Sequence, residues 1–324
     1  MSLPSALPIA QEAVAAVFVA DAAQLACLLE ASAPKPGNVS PGRHFADARY
    51  EDFLASAIAI REPLSHAGAR PLGVTIRLAI EATSRWTRSN TNLGMVLLLA
   101  PIARATLVEN RTFVRPAKAG LERASFTMLR DDLRRVLETT TVDDARETYA
   151  AIRLAAPGGL GRAGVQDVGD DPTMTLLDVM RLAADRDGIA REYATAFDVT
   201  FEIGVPALRR ARAEGLSWDD ATVETFLTLL AANPDTHVAR RGGTGLAAEI
   251  SRRARTVLEA GGVRSPAGRQ AIDEMDRDLR DAHNVGNPGT TADLTAAALF
   301  GVLLDGGWVP PEAGIDGGPD AASR

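Results

Sequence analysis

Apolar residues recur at intervals of three and four along almost the whole of this chain, a spacing that lines one face of a helix rather than of a strand. The pattern runs through 11–32, 51–67, 73–86, 93–108, 129–138, 143–156, 175–188, 190–213, 218–232, 244–260, 266–283 and 291–304. No alternating run of β-branched residues stands between turn signals, so nothing reads as a sheet. Asp143 and Thr290 supply helix starts, while Pro157-Gly158-Gly159 and Gly261-Gly262 supply stops. The spacing predicts an all-α fold, one globular bundle of roughly ten or more helices over residues 9–305. The Gly-, Pro- and Asp-rich stretch 306–324 reads as a disordered tail.

Charge and cysteine content narrow the function. The formal net charge is −7, which argues against the overall field of a duplex-nucleic-acid binder and in favour of small-molecule substrates. Cys27 is the only cysteine, so no intrachain disulfide and no cysteine zinc site can form. The longest uninterrupted apolar runs, 93–103 and 294–304, are about half of what a bilayer requires. No basic residue precedes Lys35, so a secretory leader is not expected either. The expected location is cytoplasmic, away from the membrane.

Three connections are rich in glycine and proline yet carry charged residues: 33–47, 157–173 and 233–245. The first two exceed the usual length of a helix–helix connection and read as binding loops. In the first, two prolines brace Lys35, Gly37 permits a turn, and His44 and Asp47 follow. Only Lys35 and Lys118 are lysines in a chain with 35 basic residues, so a point charge at Lys35 suits a phosphate contact. The second, Pro157 to Thr173, is not a phosphate-binding P-loop, because no strand precedes it and no Lys-Ser/Thr follows. The third places Asp235, Thr236, His237, Arg240, Arg241, Gly242 and Gly243 within a few residues of one another. An Arg-Gly-Gly end can clamp a phosphate, and an Asp-Thr-His end can hold Mg²⁺ or act as a base. Two shorter segments complete the set. Asn90-Thr91-Asn92-Leu93-Gly94 offers caps and free N–H groups at a helix start, and Asn287-Pro288-Gly289-Thr290-Thr291-Ala292-Asp293 puts a carboxylate in the first turns of an apolar helix.

Taken in order, these segments resemble the triphosphoribosyl-dephospho-CoA synthase family. Lys35-Pro36-Gly37 with His44 and Asp47, Asn90-Thr91 with Gly94, Asp235-Thr236 with Arg241-Gly242-Gly243, and Pro288-Gly289 with Ala292-Asp293-Leu294 match its four motifs. Asn92-Leu93 stands where the family has His-Lys, and His237 where it has Asn, which marks a divergent branch. The resemblance implies an all-α transferase that moves the triphosphoribosyl group of ATP to the 2′-hydroxyl of 3′-dephospho-CoA and releases adenine. It implies Lys35, Asn90, Thr91, Arg241, Gly242 and Gly243 as nucleotide contacts, and Asp235 and Asp293 as ligands of Mg²⁺. Asp235, His237 and His44 are its implied catalytic groups, one histidine activating the acceptor hydroxyl. Rival readings are a sister ribosyl transferase with another acceptor, such as a pterin-cofactor precursor, a Mg²⁺-dependent N-glycoside hydrolase, and a nucleotide sensor.

Overall fold

The computed structural model describes residues 7–108, 126–159, 161–280 and 283–308, and among them it contains fifteen α-helices and no strand. The first seven are α1 (Leu7–Ser32), α2 (Tyr50–Ala59), α3 (Arg61–Ser65), α4 (Leu72–Ser84), α5 (Leu93–Val108), α6 (Phe126–Glu138) and α7 (Val142–Ala155). The rest are α8 (Leu176–Ala183), α9 (Gly188–Thr195), α10 (Val205–Ala213), α11 (Trp218–Ala232), α12 (Thr236–Gly242), α13 (Thr244–Glu259), α14 (Pro266–Leu279) and α15 (Gly289–Leu304). Lys118 and the tail from residue 309 onward lie outside the described residues.

Helices α5 and α15 form the centre. Every residue of α15 is buried except Gly289 and Asp293, and α5 is buried at twelve of its sixteen positions. A helix apolar on all sides must be enclosed. Accordingly α1, α4, α6 and α9 pack on α5, and α1, α10, α11 and α12 pack on α15. A second, smaller core joins α11, α13 and α14 through Phe226, Leu230, Ile250 and Met275.

Where the periodicity ran on, the structure breaks it for local reasons. Pro63 has no N–H to give, so the run 51–67 splits into α2 and α3 around Ile60. The run 190–213 is interrupted at Ala196 and Phe197, both left-handed at φ 52° and 64°, and continues through a π-helical turn at Val199–Gly204. The buried carboxylate of Glu192 steadies this junction by accepting the N–H groups of Val199 and Thr200, each at 2.9 Å. Conversely, 236–242 is helical where the sequence suggested a loop.

One expectation about apolar length is corrected. Counting only uninterrupted runs overlooked Ala13–Ser32 of α1, whose 20 residues have a mean hydropathy of 1.7 and suffice in length and composition to cross a membrane. Here that stretch turns Ala23, Ala26 and Cys27 into the core and leaves Val14 and Val17 exposed.

Helices α4 and α7 approach each other closely at Gly73. The N–H of Gly73 donates to Asp144 Oδ1 at 2.8 Å, and a Cβ at Gly73 would collide with the Asp144 backbone carbonyl. Backbone cannot move aside as a side-chain tip can. Gly73→Ala is therefore expected to cost about 1–3 kcal/mol, read as a lower urea midpoint with unchanged slope; an unaltered midpoint would show that the helices separate freely.

Candidate active site

The starts of α5, α9, α12 and α15 converge. Thr236 Oγ1 accepts the N–H of Gly188 at 3.0 Å and lies 3.1 Å from Thr290 Oγ1, which in turn accepts the N–H of His237 at 3.2 Å. Gly94 lies so close to α15 that a Cβ there would collide with the Asp293 carboxylate. Each helix start directs the positive end of its dipole here, so the convergence favours anions even though side chains cap several of the first N–H groups.

Two lobes of one cavity open at this point. The polar lobe, of about 500 Å³, is bounded by Glu30, Asn38, Asp47, Arg88, residues 90–95, Arg241, Asn287 and Gly289. The second, of about 260 Å³, is walled by Leu97, Ile152, Val179, Met180 and Ile189, with Tyr149, Gln166 and Arg186 among its polar groups. Asn90, Leu93, Gly94, His237 and Asp293 line both and form the seam between them.

Several residues expected at the site are there. Asn90 caps α5 by accepting the N–H of Leu93 at 3.1 Å and faces both lobes. Thr91 borders the polar lobe, its hydroxyl 2.5 Å from Ser56 Oγ. Arg241 borders it too, steadied by donating to the carbonyl of His283. His237 stands on the seam. Burial above all, then the guanidiniums of Arg240 and Arg241, push its imidazole down to about 4. It is neutral near pH 7 and can accept a hydrogen bond, but it is a weak base. The 157–173 segment supplies Gly158 to the polar lobe and Pro157, Gly161 and Ala163 to the apolar one. Asp167 shapes that segment by accepting the N–H groups of Ala163, at 2.5 Å, and Gly169, at 2.9 Å.

Others are placed differently. Lys35 is fully buried and spends its three donors internally, on Glu30 Oε1 at 3.0 Å, on the Glu30 carbonyl and on the Ala33 carbonyl at 3.1 Å. An ammonium has only three protons, so none is left for a phosphate, and the expected contact is corrected to support of Glu30. Asp235 is 2% exposed and borders neither lobe. Its Oδ1 caps α12 through the N–H of Val238 at 3.0 Å, and its Oδ2 takes both the N–H and the hydroxyl of Thr291 at 2.7 Å. It ties α12 to α15 instead of reaching a substrate. His44 is exposed, accepts the N–H of Tyr50 at 3.1 Å and starts α2. Gly242 and Gly243 form the joint between α12 and α13, Gly243 at φ 88°, and neither borders the cavity.

Asp235 is not placed to share a Mg²⁺ ion with Asp293, because both its oxygens already accept hydrogen bonds from Val238 and Thr291 and it borders neither lobe. Among the described residues no group of three or more His, Cys, Asp or Glu side chains is placed to hold a metal ion.

The sequence reading gave no role to four cavity residues, although two of them, Asn38 and Asn287, lie in its motif segments. Glu30 is 3% exposed yet borders the polar lobe; a carboxylate amid the apolar turns of α1 was its only signal. Arg88 stands at the rim. Asn38 Nδ2 and Asn287 Oδ1 are buried there without a hydrogen-bond partner, a donor and an acceptor left for a ligand. The backbone around Asn38 is fixed from α14, where Asp276 accepts the N–H of Gly37 at 2.8 Å and Arg280 donates to the Asn38 carbonyl at 2.5 Å.

Comparison with known proteins bears on the family of the chain. Residues 16–311 match the family model described as ATP:dephospho-CoA triphosphoribosyl transferase. A Pectobacterium atrosepticum protein named 2-(5''-triphosphoribosyl)-3'-dephosphocoenzyme-A synthase is 27% identical over 254 residues, 78% of this chain and 70% of that protein. A Pseudomonas putida protein named "Probable 2-(5''-triphosphoribosyl)-3'-dephosphocoenzyme-A synthase" is 37% identical over 143 residues, 43% of this chain and 50% of the relative. The chain thus spans about half the length of the first curated relatives that it matches. The crystal structure of an Archaeoglobus fulgidus protein described as a "putative triphosphoribosyl-dephospho-coA synthase" superposes with a TM-score of 0.57 at 24% identity. It covers 78% of this chain and 99% of that one, a likeness of fold. With the family model matched across nearly its whole length, the chain belongs to the ATP:dephospho-CoA triphosphoribosyl transferase family.

Proposed function

We propose that this protein transfers the triphosphoribosyl group of ATP to the 2′-hydroxyl of 3′-dephospho-CoA and releases adenine. One observation carries the reading beyond family membership: all four segments that resemble the family deliver side chains to a single cavity. Asn38 and Asp47 come from the first, Asn90 and Thr91 from the second, His237 and Arg241 from the third, and Asn287 and Asp293 from the fourth. The polar lobe suits the triphosphate and ribose. Arg241 and Arg88 face its anionic oxygens, the helix starts add positive potential, and the unpartnered amides of Asn38 and Asn287 meet hydroxyl or phosphate groups. Mg²⁺ enters in this reading with ATP, as part of the substrate. His237, flanked by two guanidiniums, orients a hydroxyl at the seam.

The direct test incubates the protein with Mg²⁺-ATP, with and without 3′-dephospho-CoA, and scores free adenine by chromatography. Adenine is expected only when the acceptor is present. Release without it would indicate hydrolysis, and release in neither case would refute the transferase reading.

Arg241→Lys keeps the charge but loses the planar fork that grips two oxygens. A fall of about tenfold or more in kcat/KM for ATP is expected, ~1.4 kcal/mol of lost transition-state binding; wild-type turnover would remove the two-oxygen grip. Gly94→Ala should displace the Asp293 carboxylate and lower kcat at least about tenfold, or ~1.4 kcal/mol, while the helical circular-dichroism signal persists. Unchanged kcat would show that this close approach is not needed.

A further inference from the structure

Two carboxylates border the polar lobe from the protein interior, Glu30 and Asp293, and their surroundings differ. Glu30 lies against the Lys35 ammonium, which directs all its protons to Glu30 and the adjacent backbone. The Asp293 carboxylate makes no hydrogen bond or ion pair among the described residues. Arg240, the guanidinium that most favours its charge, is bound to Asp187. Asp293 also borders the apolar lobe, which Glu30 does not.

Polarity orders a ribonucleotide donor across the two lobes. A purine has broad apolar faces and suits the walls of Leu97, Ile152, Met180 and Ile189. The charged triphosphate suits the polar lobe. The sugar carbon that joins them then lies at the seam, where Asp293 stands.

We propose that Asp293 and Glu30 divide the proton transfers of the reaction, Asp293 as the acid for the departing base and Glu30 as the base for the acceptor hydroxyl. The proposal rests on the transferase reading above. The C1′–N bond breaks with its electron pair going to adenine, and the Asp293 carboxyl proton goes to a ring nitrogen of that base. The acceptor oxygen forms the new bond to C1′, and its proton passes to Glu30. One proton is given and one taken, so the two carboxyls return to their starting states by exchange with solvent. Burial, and after it the neighbouring Glu30 carboxylate, holds the Asp293 carboxyl well above the usual carboxylate range, which favours the form that can donate. Burial raises the Glu30 carboxyl too, but the Lys35 ammonium offsets part of that rise. A pair of carboxyls set apart in this way is how acid and base roles are divided in glycoside chemistry.

The experiment compares wild type, Asp293→Asn, Glu30→Gln and the double variant Glu30→Gln/Lys35→Met, which removes both charges of the buried pair and so keeps the interior neutral. Each receives ATP or its 7-methylated analogue, whose purine already carries the charge that protonation would supply, with 3′-dephospho-CoA as acceptor. Release of base is timed in single turnover. Asp293→Asn is expected to slow release from ATP by about 10²–10⁴-fold but release from the methylated donor by less than about tenfold. Glu30→Gln and the double variant should slow both donors alike. Equal slowing of both donors by Asp293→Asn would overturn its role as acid, and a double variant with the wild-type rate would overturn Glu30 as base. A wild type that releases no adenine from ATP with acceptor overturns the transferase reading itself, whereas an active wild type with indifferent variants overturns this proposal alone.

Discussion

Two helices that are apolar on every side have to be kept from water, and most of this fold is the enclosure that keeps them. Each large side chain of α5 and α15 that is fully buried contributes roughly 1.5–3 kcal/mol relative to exposure. No arrangement that leaves a side of either helix in solvent competes with one that covers it. The enclosure ends where the apolar run ends, at Gly94 on α5 and at Asp293 on α15, and the cavity opens at that boundary. The helix starts gathered there have N–H groups with no partner inside their own helices. The same burial that stabilises the protein thus leaves a positively polarised floor under the cleft.

Apart from Asp293, the carboxylates and the lysine taken into the enclosure are met by ion-pair or hydrogen-bond partners. Lys35 and Glu30 pair, Asp235 accepts from Val238 and Thr291, Glu192 from Val199 and Thr200, and Asp144 from Gly73. An ionised group moved into an apolar interior without such partners costs several kcal/mol. These contacts also bind segments distant in sequence. Asp235 fastens the start of α12 to that of α15 across 56 residues, and Asp276 holds the Lys35-Pro36-Gly37 loop from α14. The arginines at the rim, Arg88 and Arg241, remain in contact with the cavity, where an incoming anion can reach them.

The division of the cavity follows from which helices wall it. The polar lobe is bounded by loops and helix starts, the apolar lobe by the sides of α5, α7, α8 and α9. A loop wall supplies amides and carboxylates, whereas a helix side turned toward the core supplies Leu, Ile, Val and Met. At the seam the two kinds of wall meet, and Gly94 allows them to meet closely. A larger residue there would part α5 from the Asp293 carboxylate.

The all-α class was legible in the sequence because a period of three to four is a local property, written into each run and indifferent to what lies beside it. The four motif segments were legible for a similar reason: each gathers several polar groups within a few residues. Only the tertiary structure decided what individual side chains do. Lys35, Asp235 and His44 carry the same chemical groups whether they face a ligand or a backbone amide. The choice depends on where their donors and acceptors find partners after folding, and those partners include Thr291 for Asp235 and the starting turn of α2 for His44. Glu30 went unread for the opposite reason. A single carboxylate on an apolar helix gives no local pattern, and it becomes a cavity residue only because α1 packs against α5 and α15 with that turn beside the cleft. Periodicity records which side of a helix must be buried, but burial against a neighbour and exposure to an internal cavity leave the same periodicity, so the distinction exists only in three dimensions.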